Sequence, residues 1–201
     1  MGKRTDTKEK MVQAAKDLIR QRGFNATAFA DVLERSGTSR GSVYFHFPGG
    51  KTQLAVEAAE AHAFEQVEII DRAAAEATSA VQLVERYIDL GRDGMIAGDY
   101  GRGCGIAPLI TEGAAENSAE IAETGRRAFT QMTDRLAFHF VAFGVERGAA
   151  RVLAEAVIAS VEGAMITSRA LRSPAPYESV RTVLASHAAG VSPKGTRRPR
   201  G

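Results

Sequence analysis

The sequence lacks the features of secreted and membrane-spanning proteins. Cys104 is its only cysteine, so no internal disulfide can form, which fits a reducing compartment. The first residues, MGKRTDTKEK, are charged and lack the apolar stretch of a signal peptide. The longest charge-free apolar run, LAFHFVAFGV, has ten residues, whereas a membrane span needs roughly 20. These absences predict a cytoplasmic protein without a membrane partner.

Strand signals are also nearly absent, because no β-branched alternating run lies between turn residues. Helical spacing replaces them: Met11, Ala15, Leu18 and Ile19 recur on one helical face. The chain has 201 residues, of which 44% are hydrophobic, enough for one or two packed cores. The sequence therefore predicts an all-α protein of about nine helices.

Helix-breaking residues divide the chain into three parts. In residues 1–50, a first helix ends at Gly23, a second begins after Thr27 as N-cap and ends at Gly37, and a third begins at Ser39. The triplet PGG at 48–50 separates these three helices from a larger bundle over 51–190. Within this bundle we expect helices at about 51–77, 80–96, 106–111, 118–146, 149–172 and 177–189. Residues 191–201 have no apolar periodicity and predict a basic, disordered tail.

Charge is distributed unevenly along the chain. The net charge of +2 combines +5 over residues 1–51, −7 over 52–193 and +4 over 194–201. A basic N-terminal unit on an acidic body is typical of proteins that bind a polyanion such as nucleic acid.

The segment GTSRGSVYFHFPGGK, residues 37–51, supplies the residues that a helix-turn-helix needs. Gly37 makes the turn, Val43 holds the second helix on the domain, and small or polar residues leave its other face free to enter the major groove. Arg40 can bond guanine or a phosphate, and Tyr44, His46 and Lys51 can bond phosphates. The residues predicted to face DNA are Thr27, Thr38, Ser39, Arg40, Gly41, Ser42, Tyr44, His46 and Lys51.

The longer stretch GFNATAFADVLERSGTSRGSVYFHFPGGKTQL resembles the DNA-binding domain of the TetR family of transcriptional repressors. The resemblance covers about residues 8–54 and implies a homodimer that binds a near-palindromic operator in double-stranded DNA. Two positions depart from the family pattern: Thr38 stands where the family often has an aliphatic residue, and Leu33 stands where it often has alanine. Further along, GRGCGIAPLITE at 101–112 resembles a stretch from a branch of multidrug-responsive repressors.

This resemblance also implies a small hydrophobic effector bound inside the larger bundle. Candidate lining residues are Phe64, Met95, Ile106, Leu109, Phe129, Met132 and Met165, although such a stripe can equally be ordinary core. The small residues of 149–172, with the last helix, suit a four-helix dimer interface, or burial within one subunit.

Two other interpretations remain at this stage. Cys104 could be a redox sensor or the nucleophile of a helical enzyme, or a small buried residue in a tight turn. The helix-turn-helix could also dock a protein partner, as in an adaptor. The four histidines share no metal-ligand spacing with one another or with Cys104. We therefore predict a ligand-responsive repressor that is not an enzyme and has no catalytic residue, metal or cofactor.

Overall fold

The computed structural model describes residues 2–113 and 119–193. These residues form nine helices and no strand, which confirms the all-α prediction. The helices are α1 (Gly2–Arg22), α2 (Phe29–Ser36), α3 (Arg40–His46), α4 (Gly50–Ala75), α5 (Ala80–Ala97), α6 (Ala107–Gly113), α7 (Ala119–Ala142), α8 (Arg147–Leu171) and α9 (Ala175–Val191).

The helices of the N-terminal unit become shorter along the chain, from 21 residues in α1 to eight in α2 and seven in α3. Helices as short as α2 and α3 are marginally stable in isolation, so their stability comes from packing. Met11, Phe24, Val32, Val43 and Phe47 are buried and join the three helices into one apolar core.

The long helix α4 connects this unit to the rest of the molecule. It packs against α1, α5, α6 and α7. Helices α7, α8 and α9 pack in succession, and α9 returns onto α5. Tyr177 at the beginning of α9 is completely buried. The body is therefore a helical bundle that α4 joins to the N-terminal unit.

Most predicted helix bounds agree with the structure within a few residues. Helix α9 continues to Val191, one residue into the predicted tail. Residues 194–201 of that predicted tail lie outside the described residues.

Candidate nucleic-acid interface and ligand cavity

The turn between α2 and α3 has the geometry of a helix-turn-helix. Gly37 follows α2 in the left-handed conformation, with φ of 65°. Glycine adopts this conformation without steric strain because it has no Cβ. The backbone N–H of Thr38 donates to the carbonyl of Leu33 at 3.2 Å. Ser39 is the N-cap residue of α3, as predicted. The turn residue and the beginning of the third helix are thus confirmed.

Helix α3 is held by one face and exposes the other. Val43 and Phe47 are buried, whereas Arg40 and Gly41 are exposed and Tyr44 is 77% exposed. A Cβ placed on Gly41 would meet nothing within 4 Å. Internal packing therefore does not require a glycine at this position. The missing side chain instead allows another molecule to approach α3 closely.

The remaining predicted DNA contacts of the turn and of α3 lie on or near this face. Ser39 is exposed, and Thr38 is half-buried with its hydroxyl 2.7 Å from that of Ser36. His46 is half-buried, with its ring centroid 5.0 Å from that of Phe45. The side chain of Ser42 lies outside the described residues. The DNA contacts themselves stay predictions.

The prediction that Thr27 caps α2 is wrong. Ala28 is the N-cap, and its backbone N–H donates to Asp31 at 3.1 Å. Thr27 is buried, and its hydroxyl donates to the carbonyl of Gly23 at 2.7 Å. Its single hydroxyl proton is therefore used inside the α1–α2 turn and is not available for a phosphate.

Lys51 has a second role beside the predicted one. Its Nζ donates to the carbonyl of Asn25 at 3.1 Å and lies 4.4 Å from the centroid of the Phe24 ring. Because Lys51 holds the beginning of α4 against the α1–α2 turn, its removal would disturb the fold as well as the predicted phosphate contact.

The body contains a cavity of about 270 Å³ among α1, α4, α5, α8 and α9. A smaller space of about 20 Å³ adjoins it and shares several of its lining residues. The larger cavity is lined by Arg20, His62, Glu65, Gln66, Ile69, Arg72, Tyr87, Leu90, Gly91, Gly94, Met95, Arg102, Val161, Met165 and Tyr177. Its volume lies near the lower end of the roughly 300–1,000 Å³ of pockets for drug-sized ligands.

The predicted ligand residues are divided between these spaces and the core. Met95 and Met165 line the larger cavity, and Ile106 and Met132 line the smaller one. Leu109 and Phe129 pack in the core and line neither space. Phe64 is 64% exposed and also lines neither space, so its contact with a ligand stays a prediction. Alanine-rich α4 carries apolar residues on several faces, so periodicity alone did not show which one faces inward.

Sequence reasoning missed the polar residues of the cavity. His62 is buried, and its pKa is lowered from 6.5 to about 3 because burial disfavours the charged ring and because Arg20 and Lys16 lie nearby. Burial likewise raises the pKa of Tyr87 and of Tyr177. All three side chains are therefore neutral at pH 7. Their positions depend on how five helices meet, for which the sequence carries no local signal.

Comparison with known proteins identifies the chain's class. Residues 11–58 match the family described as bacterial regulatory proteins, tetR family, and residues 80–183 match the family described as transcriptional regulator LmrA/YxaF-like, C-terminal domain. A protein of Mycobacterium tuberculosis (strain H37Rv), described as an uncharacterised HTH-type transcriptional regulator, is 35% identical over 88% of this chain and 91% of its own length. The chain belongs to the TetR family of transcriptional regulators.

Other members of the family share parts of the sequence or the whole fold. The HTH-type transcriptional regulator LmrA of Bacillus subtilis is 45% identical over 26% of this chain and 28% of its own length. A TetR transcriptional regulator from Legionella pneumophila has a TM-score of 0.78 at 20% identity, covering 90% of this chain and 96% of that one. The latter similarity supports the TetR-like fold independently of sequence.

In this TetR-family chain, the end of α1 is bonded directly to the cavity wall. Arg20 donates through Nε to the carbonyl of Gly103 at 3.0 Å, and the N–H of Gly103 returns a bond to the Arg20 carbonyl at 2.7 Å. Arg169 of α8 donates to the carbonyl of Gln21 at 2.5 Å. Arg20 and the neighbouring Arg102 both line the cavity. A change in the cavity wall can therefore reach the DNA-binding unit through few bonds.

Helix α6 makes a second connection between the body and the DNA-binding unit. Glu112 accepts a hydrogen bond from the backbone N–H of Asn25 at 2.8 Å. Asn25 lies in the α1–α2 turn, which Lys51 also contacts. The position of that turn therefore depends on α6 as well as on α4.

Cys104 is a buried structural residue. Its Sγ accepts backbone N–H bonds from Ile106 at 3.3 Å and Ala107 at 3.4 Å. Burial, with the nearby Glu162 carboxyl, raises the pKa of the thiol to about 12. Since the thiolate is the reactive form, this environment does not favour a redox sensor or a nucleophile.

Two further properties apply to residues 2–113 and 119–193. No group of three or more His, Cys, Asp or Glu side chains there could hold a metal ion. None of the helices in these ranges combines the length and apolar character needed to span a bilayer.

Proposed function

We propose that the protein is a dimeric repressor that binds a near-palindromic operator and leaves it when a small, largely hydrophobic molecule occupies the cavity. The observation that carries the DNA-binding part is α3, whose buried Val43 and Phe47 leave Arg40, Gly41 and Tyr44 exposed on one face. Its site of action is the cytoplasm, where operator DNA is accessible. Residues 1–50 and 51–190 act as the DNA-binding unit and the ligand-binding, dimerising unit.

The outer face of α8 and α9 supports the dimer. Ile166 on α8 is 67% exposed and Val183 on α9 is 66% exposed, and both helices are rich in small residues. Apolar and small residues on two neighbouring helices suit a two-fold four-helix interface. Such a dimer would present its two α3 helices to major grooves about 34–36 Å apart.

The bonds from the cavity wall to α1 support the ligand response. An effector that favours another arrangement of the 102–105 loop would shift the balance between two sets of conformations. In one set the spacing of the two α3 helices matches that of successive major grooves, and in the other it does not. Arg20, Gly103 and Glu112 are the residues through which this shift would reach the DNA-binding unit.

Footprinting on the DNA that flanks the protein's own gene tests the proposal, with and without a panel of small apolar compounds. We expect protection of a near-palindrome that one compound removes. Arg40→Ala should lower affinity for the operator by about 1–3 kcal/mol if Arg40 reads a base. Tyr44→Phe, a change at an exposed side chain, should weaken binding to all sequences alike. Equal affinity of Arg40→Ala and parent for the operator would refute the assignment of α3.

Salt dependence separates this function from that of a protein-binding adaptor. If α3 binds DNA, log K should fall linearly with log salt in proportion to the phosphates neutralised. Binding that salt leaves unchanged would instead favour the adaptor.

A further inference from the structure

The wall of the larger cavity combines an apolar belt with two kinds of polar group. The belt comprises Ile69, Leu90, Met95, Val161 and Met165. Arg72 and Arg102 are exposed at the rim, whereas His62 and Tyr177 are buried in the interior. The wall therefore combines charged groups with the neutral polar side chains of His62 and Tyr177.

We infer that the cavity binds a small organic acid with an apolar body, whose carboxylate binds Arg72 or Arg102 and whose hydroxyl or carbonyl meets Tyr177 and His62. This inference rests on the proposed function only in taking the cavity as the effector site.

The charge of the rim favours an anion. Three arginines line the cavity, namely Arg20, Arg72 and Arg102. The one acidic side chain among the lining residues is Glu65. Glu65 is already ion-paired with the buried Lys16. No ion pair engages Arg72 or Arg102 within the described ranges, so their guanidinium groups remain available to bind a carboxylate in the bidentate way typical of arginine.

The interior contains polar atoms without a partner. Among the described residues, the Tyr177 hydroxyl and the Nδ1 atom of His62 form no hydrogen bond although both side chains are buried. Buried polar groups are normally bonded, so an unbonded pair in one cavity wall indicates a ligand or water. Because His62 is neutral, with a pKa lowered to about 3, it can bond a hydroxyl or carbonyl but does not attract the acid's charge inward.

The dimensions fit a ligand of moderate length. His62, Ile69 and Arg72 all lie on α4, and His62 and Arg72 are ten residues apart in sequence. At 1.5 Å per residue, their backbones are about 15 Å apart along the helix. This distance leaves room for a body of two fused rings between the two positions.

The test uses the full-length protein, four matched probes and one cationic probe, 2-naphthylmethylammonium. The matched probes are 2-naphthoate, 6-hydroxy-2-naphthoate and the carboxamide of each, so that charge and hydroxyl vary independently. Binding is measured by calorimetry. We expect each acid to bind about ten-fold more tightly than its amide, and the hydroxyl to add about three-fold.

Two variants assign these effects to residues. The double variant Arg72→Gln/Arg102→Gln should remove the preference for acid over amide and keep the effect of the hydroxyl. Tyr177→Phe should remove the effect of the hydroxyl and keep the preference for acid over amide. The control Arg126→Gln/Arg147→Gln removes the same charge from exposed positions outside the cavity and should change neither effect. Circular dichroism checks that each variant is folded.

Several outcomes would overturn the inference. They are equal affinity of acid and amide, no binding of any probe, a preference that persists without Arg72 and Arg102, or tighter binding of 2-naphthylmethylammonium than of 2-naphthoate. Operator release is measured separately with the same probes. An acid that binds as described but leaves the operator bound would contradict the proposed ligand response while the inference about the cavity stands.

Discussion

Acid should destabilise this protein through His62 in particular. The unfolded chain takes up a proton on this histidine near pH 6.5, whereas the folded protein does so only near pH 3. Between these values the unfolded state binds more protons, so the free energy of unfolding falls as the pH falls. The slope approaches about 1.4 kcal/mol per pH unit, which amounts to about 2 kcal/mol lost from this residue alone between pH 7 and pH 5.

The assay is urea unfolding followed by circular dichroism at pH 7, 6 and 5, at fixed protein concentration because the stability of the proposed dimer would depend on it. The parent is compared with His62→Gln, which keeps a polar side chain but does not titrate. Carboxylates such as Asp71, whose pKa the hydrogen-bonded Arg135 lowers, contribute equally to both proteins and cancel in the comparison. The parent should lose about 2 kcal/mol more than the variant by pH 5. Parallel pH profiles would refute the reasoning.

Three further predictions concern α3, the dimer and Cys104. Gly41→Ala should stabilise the fold by about 0.5–1 kcal/mol, since the added Cβ meets no atom, and yet weaken operator binding in a gel-shift assay. The control Gly190→Ala, equally unobstructed in α9, should not affect operator binding. Unchanged operator affinity of Gly41→Ala would contradict a close approach of this residue to DNA. Ile166→Glu with Val183→Glu should yield folded monomers by light scattering, whereas Phe64→Glu, at an equally exposed position on α4, should leave the dimer intact; a dimer that survives both changes would exclude this interface. Native Cys104 should react with iodoacetamide at pH 8 far more slowly than in urea, because its pKa is about 12, and equal rates would show that the thiol is accessible and ionisable.

The fold was predictable because its signals are local. Apolar spacing placed the helices, and Gly37 and the triplet at 48–50 marked the breaks around α3. The error at Thr27 has a local cause too. Threonine is a good N-cap by type, but Asp31 reaches back to the N–H of Ala28 and starts the helix one residue later.

The cavity was much less predictable because its wall is assembled from distant segments. Met95 and Met165 are apolar residues whose inward direction follows from amphipathic spacing. His62 and Tyr177, in contrast, are polar residues whose burial depends on the meeting of α4, α5 and α9. No window of sequence contains that information. The exposed Phe64 shows the opposite case, in which an aromatic side chain on an apolar helix lies outside the core.

The bonds between Arg20 and Gly103 have a consequence for engineering. A hybrid regulator made by joining this chain's first 50 residues to the body of a relative would keep Arg20 and Asn25 but replace their partners Gly103 and Glu112. Such a hybrid could retain operator recognition and ligand binding and yet respond to nothing. Under the proposed ligand response, we therefore expect the transferable unit to be residues 1–50 together with the 102–113 segment.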